Sequence, residues 1–211
     1  VQPHILFDTT GAIGRLVLNA PPQNVMTGTF FETFESVLDQ VNGSGCRGLV
    51  VHGAGRHFSS GADIGELVRS TAGRHADSVP LQLERTICSF SRIRELGIPV
   101  VAAIKGVCLG SGFELALWAH VRVCGPRAVM GLPETDFVLM PGCGGTLLLP
   151  KIVGRAKALE LILTGHRFGP KEGKELGLVD VIASRGEVIE TAVRTVARIA
   201  GVPLNDERMD P

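Results

Sequence analysis

The chain has 211 residues, long enough for one large domain with a substantial core. Hydrophobic residues make up 45% and charged residues 20%, a globular rather than a disordered balance. The 21 Lys and Arg cancel the 21 Asp and Glu, tyrosine is absent and aromatics are only 5%, so neither a basic face nor a set of stacking platforms for nucleic acid is expected.

In chain order, 5–8 and 13–18 read as two strands joined near Gly11, and the Pro-Pro at 21–22 ends that hairpin. Phe30, Phe34, Val37, Leu38 and Val41 fall on a helical period, which predicts an amphipathic helix over 28–42. A buried strand follows at 48–52, then a loop over 53–60. Residues 76–95 are mixed but helical in length, and 99–104 is another strand. A short helix over 112–119 precedes a strand at 121–124. Helices are predicted over 153–164 and 170–176, the second with Pro170 in its first turn, and a strand over 179–182. Ser184 and Glu187 have capping-box spacing ahead of the stripe Ile189, Val193, Val196 and Ala200. The alternation of strands and helices predicts an α/β fold, with one domain over 1–200 and an irregular tail over 201–211.

The five cysteines (46, 88, 108, 124 and 143) are odd in number and scattered, with no metal-ligand spacing and no disulfide framework in view. A reducing compartment is the simplest reading. The start, VQPHILFDTT, has no basic segment followed by an apolar run. The longest apolar stretch, 98–104, is far below the ~20 residues of a membrane helix. A cytoplasmic protein is expected, or one of the mitochondrial matrix if a leader has been removed. The six dispersed histidines read as surface or satisfied core residues. The dinucleotide fingerprint fails at Leu115, Gly173-Lys174 is no phosphate loop, and neither a serine elbow nor a zinc-binding helix motif is present.

Three segments combine glycine with acids at the start of predicted helices. They are HFSSGADI from His57, GVCLGSGFELA from Gly106, and the stretch from Leu132-Pro133-Glu134 to Pro141-Gly142-Cys143-Gly144-Gly145-Thr146. Glycine there lets a ligand approach bare N–H groups at the positive end of a helix. Two such amides aimed at one point make an oxyanion hole. From the residues alone Ser111-x-x-Glu114 also reads as a capping box, and Glu134 after Pro133 as an ordinary first-turn acid. Asp63 reads as a helix-start residue, Trp118 as core, and Cys143 as a small wall residue with no basic neighbour in sequence to activate it.

On these segments, together with GKELGLVDVI from Gly173, the chain resembles the crotonase superfamily, the enoyl-CoA hydratase/isomerase family, over residues 5–200 and in order. The resemblance implies an α/β crotonase-like spiral of ββα units, here with the usual C-terminal helical region shortened or missing. It also implies a closed homo-oligomer, a trimer or a dimer of trimers. The implied activity is syn addition of water to a 2-enoyl-CoA thioester. Coenzyme A enters as part of the substrate, and no separate cofactor, metal, nucleic acid or membrane partner is implied.

Carried over residue by residue, the oxyanion amides map to Ala62 and Ser111, and the paired acids to Glu114 and Glu134. By the same analogy Glu114 is the base for water and Glu134 the acid for C2. Substrate-binding positions map to Asn24, Val25, Met26, Ser60, Gly61, Asp63, Ile64, Gly110, Gly142 and Cys143. Both acids together favour a hydratase over another reaction of the superfamily (isomerisation, dehydration, decarboxylation or thioester hydrolysis) or a non-catalytic binding protein on the same scaffold. Four positions depart from the pattern. Ser111 stands where glycine is usual, Phe113 is expected to narrow or reshape the acyl pocket, and Leu147 and Leu148 stand where polar residues are common.

Overall fold

The computed structural model of the chain describes residues 3–71 and 79–203. Strands β1 (Ile5–Thr10) and β2 (Ile13–Leu18) form an antiparallel hairpin. Four parallel strands then join in chain order: β3 (Gly48–Gly53), β4 (Val100–Ile104), β6 (Val121–Cys124) and β9 (Val181–Ile182). A smaller sheet holds β5 (Val107–Leu109), β7 (Val129–Gly131) and β8 (Arg167–Phe168).

Helices α1 (Gly28–Gly43), α2 (Ile64–Thr71), α3 (Val79–Glu95) and α4 (Ser111–Trp118) alternate with these strands. A 3-10 helix (Glu134–Phe137) leads to α5 (Gly145–Val153) and α6 (Arg155–Thr164), then α7 (Pro170–Glu175) and α8 (Val188–Ala200). A ββα order is visible in β1-β2-α1 and β4-β5-α4. Between them, β3 is followed by a single bridge, Ser59 to Cys108, and then α2. The second strand of each later unit therefore adds to one small layer, and a turn or helix start leaves that layer at the same end.

Both faces of the large sheet are covered, so its central strands are apolar throughout rather than alternating. On one face Leu49, Val51, Val100, Ala102 and Ile104 pack with Phe30, Phe34 and Leu38 of α1 and Leu117 of α4. On the other, Val50, Val101, Ala103 and Val123 meet Val188, Ala192 and Val196 of α8. Each of these larger side chains contributes on the order of 1.5–3 kcal/mol by leaving water.

Several sequence expectations are corrected. The helix expected over 153–164 begins at Arg155, because the chain breaks at Gly154, where φ is +78°, and Val153 instead closes the separate helix α5. The strand over 179–182 keeps only Val181–Ile182, because the Leu178 and Val179 N–H groups both donate to Gly173 O and close a turn after α7. Ser184 and Glu187 form no capping box. Glu187 caps α8 without a side-chain hydrogen bond, and its N–H donates to Ser184 O in a backbone turn. Of the predicted segment 76–95, residues 76–78 lie outside the described residues, as does 204–211 of the tail. All five cysteines are free, and all but Cys88 are buried. No helix among the described residues is long and apolar enough to cross a membrane.

Candidate active site

A pocket of about 840 Å³ opens where the turns after β5 and β7 meet the loop before α2. Ala62, Ser111, Glu114 and Glu134 all line it. So do Val25, Met26, Ser60, Gly61, Asp63, Ile64, Gly110, Gly142 and Cys143. Asn24 does not. It is buried, its Nδ2 donates to the carbonyls of Ala54, His57 and Phe58, and its Oδ1 accepts from Ala20 N–H. It ties two loops together behind the pocket instead of facing a ligand. Phe113 also departs from expectation. It is fully buried and packs edge-on against Phe168, 5.5 Å between ring centres, so it does not narrow the pocket.

The amide wall is built by close approach. Gly61 has φ +97°, a conformation glycine adopts freely, and a Cβ there would lie 2.8 Å from Leu109 O and 3.3 Å from Ser111 N. The peptide after Gly61 and the first amide of α4 are thus neighbours. Met26 N–H donates to Gly61 O at 2.9 Å. In a planar trans peptide the Ala62 N–H points opposite to that carbonyl. Neither the Ala62 nor the Ser111 N–H meets an acceptor among the described residues. Ser111 is absent from the positive-φ positions, so serine is accommodated there without left-handed strain.

Glu114 sits one turn into α4 with no exposed surface. Its Oε1 accepts the N–H groups of Cys143 and Gly145, each at 2.7 Å. Its carboxylate therefore points across to the α5 start, and the capping-box alternative, which needs it to reach back to the start of its own helix, is not what forms. Its Oε2 is buried without a partner. Glu134, in the 3-10 helix, is half-buried, and its Oε2 is likewise buried and unpartnered. A Cβ on Gly110 would come 3.0 Å from Glu134 Oε1, so the carboxyl lies against the backbone at the start of α4.

Burial raises the pKa of Glu114, opposed by the two amide hydrogen bonds. Burial and then the Glu114 charge push Glu134 up to about 7. Two carboxyls with unequal partners can divide acid and base roles, and here the amide-bonded Glu114 is the better seat for the negative charge. The Cys143 thiol is held well above its usual range by burial and by Glu114, so it stays protonated. Trp118 Nε1 donates to Cys143 O at 2.9 Å and fixes that turn. No cluster of three or more metal-ligating side chains occurs among the described residues.

Other lining residues went unremarked in the sequence, including Phe31, Thr86, Leu139, Met140 and Arg167. Leu139 and Met140 fall inside the third glycine–acid segment, whereas Phe31, Thr86 and Arg167 lie on three separate elements, and of these only Phe31, beside the Phe30–Phe34 stripe, carried any local signal.

A model of the enoyl-CoA hydratase/isomerase family matches residues 8–209. A protein of Bacillus subtilis (strain 168) named "Probable enoyl-CoA hydratase" is 42% identical over 187 residues, 88% of this chain and 71% of that one. Among solved structures, an enoyl-CoA hydratase from Bacillus anthracis superposes with a TM-score of 0.84 at 33% identity, covering 93% of this chain and 76% of that one. DspI of Pseudomonas aeruginosa superposes with a TM-score of 0.86 at 27% identity, covering 96% and 82%.

Proposed function

The chain belongs to the enoyl-CoA hydratase/isomerase family, and from that premise we propose that it adds water reversibly to 2-enoyl-CoA thioesters. The observation that carries this reading is the pair of carboxyls, Glu114 and Glu134, in one pocket, each with a buried oxygen left unbonded. A water held by both is poised for two proton transfers on one face of a double bond. Glu114, its charge supported by two amides, orients the water and takes its proton as the oxygen adds to C3. Glu134, with its pKa near 7, delivers the proton to C2. Between these steps the thioester oxygen carries enolate charge, and the Ala62 and Ser111 N–H groups receive it. Dehydration is the same path reversed. Coenzyme A is the carrier of the acyl group, and the protein's contribution is positioning and charge stabilisation.

The test is turnover of crotonyl-CoA in oxygen-18 water, followed by mass spectrometry. One heavy oxygen per product is expected. Glu134→Gln is expected to lose at least ~100-fold in rate with an unchanged circular dichroism spectrum. Full activity in that variant would sink the paired-acid mechanism. A product with a shifted double bond and no heavy oxygen would assign isomerisation instead. Assembly as a closed ring of identical subunits is proposed on family grounds, and sedimentation equilibrium measures it.

A further inference from the structure

Ser59 has no exposed surface and does not line the pocket, yet three pocket-forming segments converge on it. Its N–H donates to Val107 O at 3.1 Å, and its carbonyl accepts from Leu109 N–H at 3.0 Å. These bonds fix it to β5, the strand that delivers Ser111. Its hydroxyl donates to Asn24 O at 2.7 Å and accepts the Gly61 N–H at 3.0 Å. A Cβ on Gly112 would fall 2.7 Å from Ser59 Cβ, so the serine also touches the first turn of α4.

Gly61 is therefore held at both ends. Ser59 Oγ holds its N–H, and Met26 N–H holds its carbonyl. Those two bonds set the left-handed turn and with it the direction of the Ala62 N–H. The serine is in turn set by Asn24, whose side chain is committed to four backbone groups and cannot yield easily. A hydroxyl can donate to one carbonyl and accept from one amide at this spot, a thiol does both more weakly, and a methyl group does neither.

We propose that Ser59 is a positioning residue that sets the Ala62 amide against the Ser111 amide, so that the two converge on one substrate oxygen. This rests on the reading of those amides as the oxyanion site. The serine touches no substrate. It acts through Gly61, and its effect falls on the transition state, where a small misplacement of a donor is costly.

The test compares Ser59→Ala and Ser59→Cys with the native protein and with Glu134→Gln. The probe is an aryl-conjugated enoyl-CoA, whose absorption band moves to longer wavelength when its carbonyl is polarised. The native protein and Glu134→Gln are expected to shift the band fully, the latter without turnover. Ser59→Ala is expected to lose most of the shift and ~10- to ~100-fold in kcat, with KM within about twofold. Ser59→Cys keeps the size with a weaker donor and acceptor, and is expected to fall between them. It carries the test alone if the alanine variant fails to fold.

A serine that only supports the fold would lower Tm and leave the band at its native position. That result overturns the proposal. If the native protein gives neither shift nor turnover, the oxyanion reading fails and takes this inference with it. Native shift and turnover together with unaltered Ser59 variants overturn this inference alone.

Discussion

On one side of the pocket, the segments around Gly61 and Gly110 are tied to each other and to β5 and β7 by backbone bonds. Ser60 N–H reaches Gln23 O, Asp63 N–H reaches Met26 O, Leu109 N–H reaches Ser59 O and Gly110 N–H reaches Gly131 O. On the other side, the 3-10 helix that carries Glu134 has few outside ties. Among the described residues they are Thr135 Oγ1 donating to Ile162 O at 3.3 Å and the surface pair Arg167–Asp136. Phe137 at its end, and Val138 and Met140 just beyond it, are 52%, 95% and 62% exposed. The amide wall needs fixed geometry, because a dipole acts only along its direction. The acid on the opposite wall has to sit where a proton can be passed, and it tolerates a looser mount. Glu114 stands with the first wall by its place on α4, while its carboxyl is anchored by the Cys143 and Gly145 N–H groups at the start of α5 and its chemistry pairs it with Glu134.

The sharpest way to break the contrast is to disturb the tight wall. Gly61→Ala puts a Cβ 2.8 Å from Leu109 O at a φ of +97°. It should cost ~1–3 kcal/mol of stability through strain and, by turning the Ala62 amide, ~100-fold in kcat. Chemical unfolding and crotonyl-CoA kinetics measure the two effects separately. A variant with native kcat would mean that the wall is not preorganised.

Next in size is the pH response of the loose wall. Glu134 titrates at about 7 in the folded protein against an ordinary value of 4.5. The folded state therefore holds this proton more tightly than the unfolded one. The stability this brings is full below about 4.5 and is lost as pH rises to about 7. Hydration should fall about tenfold per pH unit above 7 as the acid deprotonates. Glu134→Gln should gain more Tm over the native protein at pH 8 than at pH 5. An equal difference at both pH values would place the shift elsewhere.

The smallest effect is expected at Val138, a β-branched residue at φ +59° on the exposed end of the same 3-10 helix. Val138→Gly relieves that conformation, and we expect a rise of about 2–4 °C in Tm, the equivalent of ~1 kcal/mol, with kcat within about twofold. A large change in kcat would mean that this end of the wall is set by strain rather than loosely mounted.

The sequence was most readable where a pattern is local. The stripe Phe30, Phe34, Val37, Leu38 and Val41 is the buried face of α1, and the apolar runs of β3 and β4 are central strands. It was least readable where structure is made by distant pairing. The three residues of β5 have no periodicity to display and are strand only because β7 lies beside them. The helix α2 was marked only at its start, by Asp63 after the glycine of HFSSGADI, and β7 and β8 went unseen for the same reason as β5. At the pocket, glycine and acid clusters marked the right segments, but spacing alone could not tell a capping Glu114 from one that faces the α5 start. Ser59 was unreadable because its meaning lies in Asn24 O, 35 residues away.

In the large sheet, the order of strands across the layer is their order along the chain, β1-β2-β3-β4-β6-β9. A polypeptide lengthening from its N-terminus therefore never has to open an existing pairing to admit a later strand. Each newcomer meets a ready edge. The pocket shares this directionality, since Met26, Ala62, Ser111, Glu134 and Arg167 arrive in succession from consecutive parts of the same progression. Scaffold and cavity are thereby completed by one cumulative process, and an early error in the series would be inherited by every step after it.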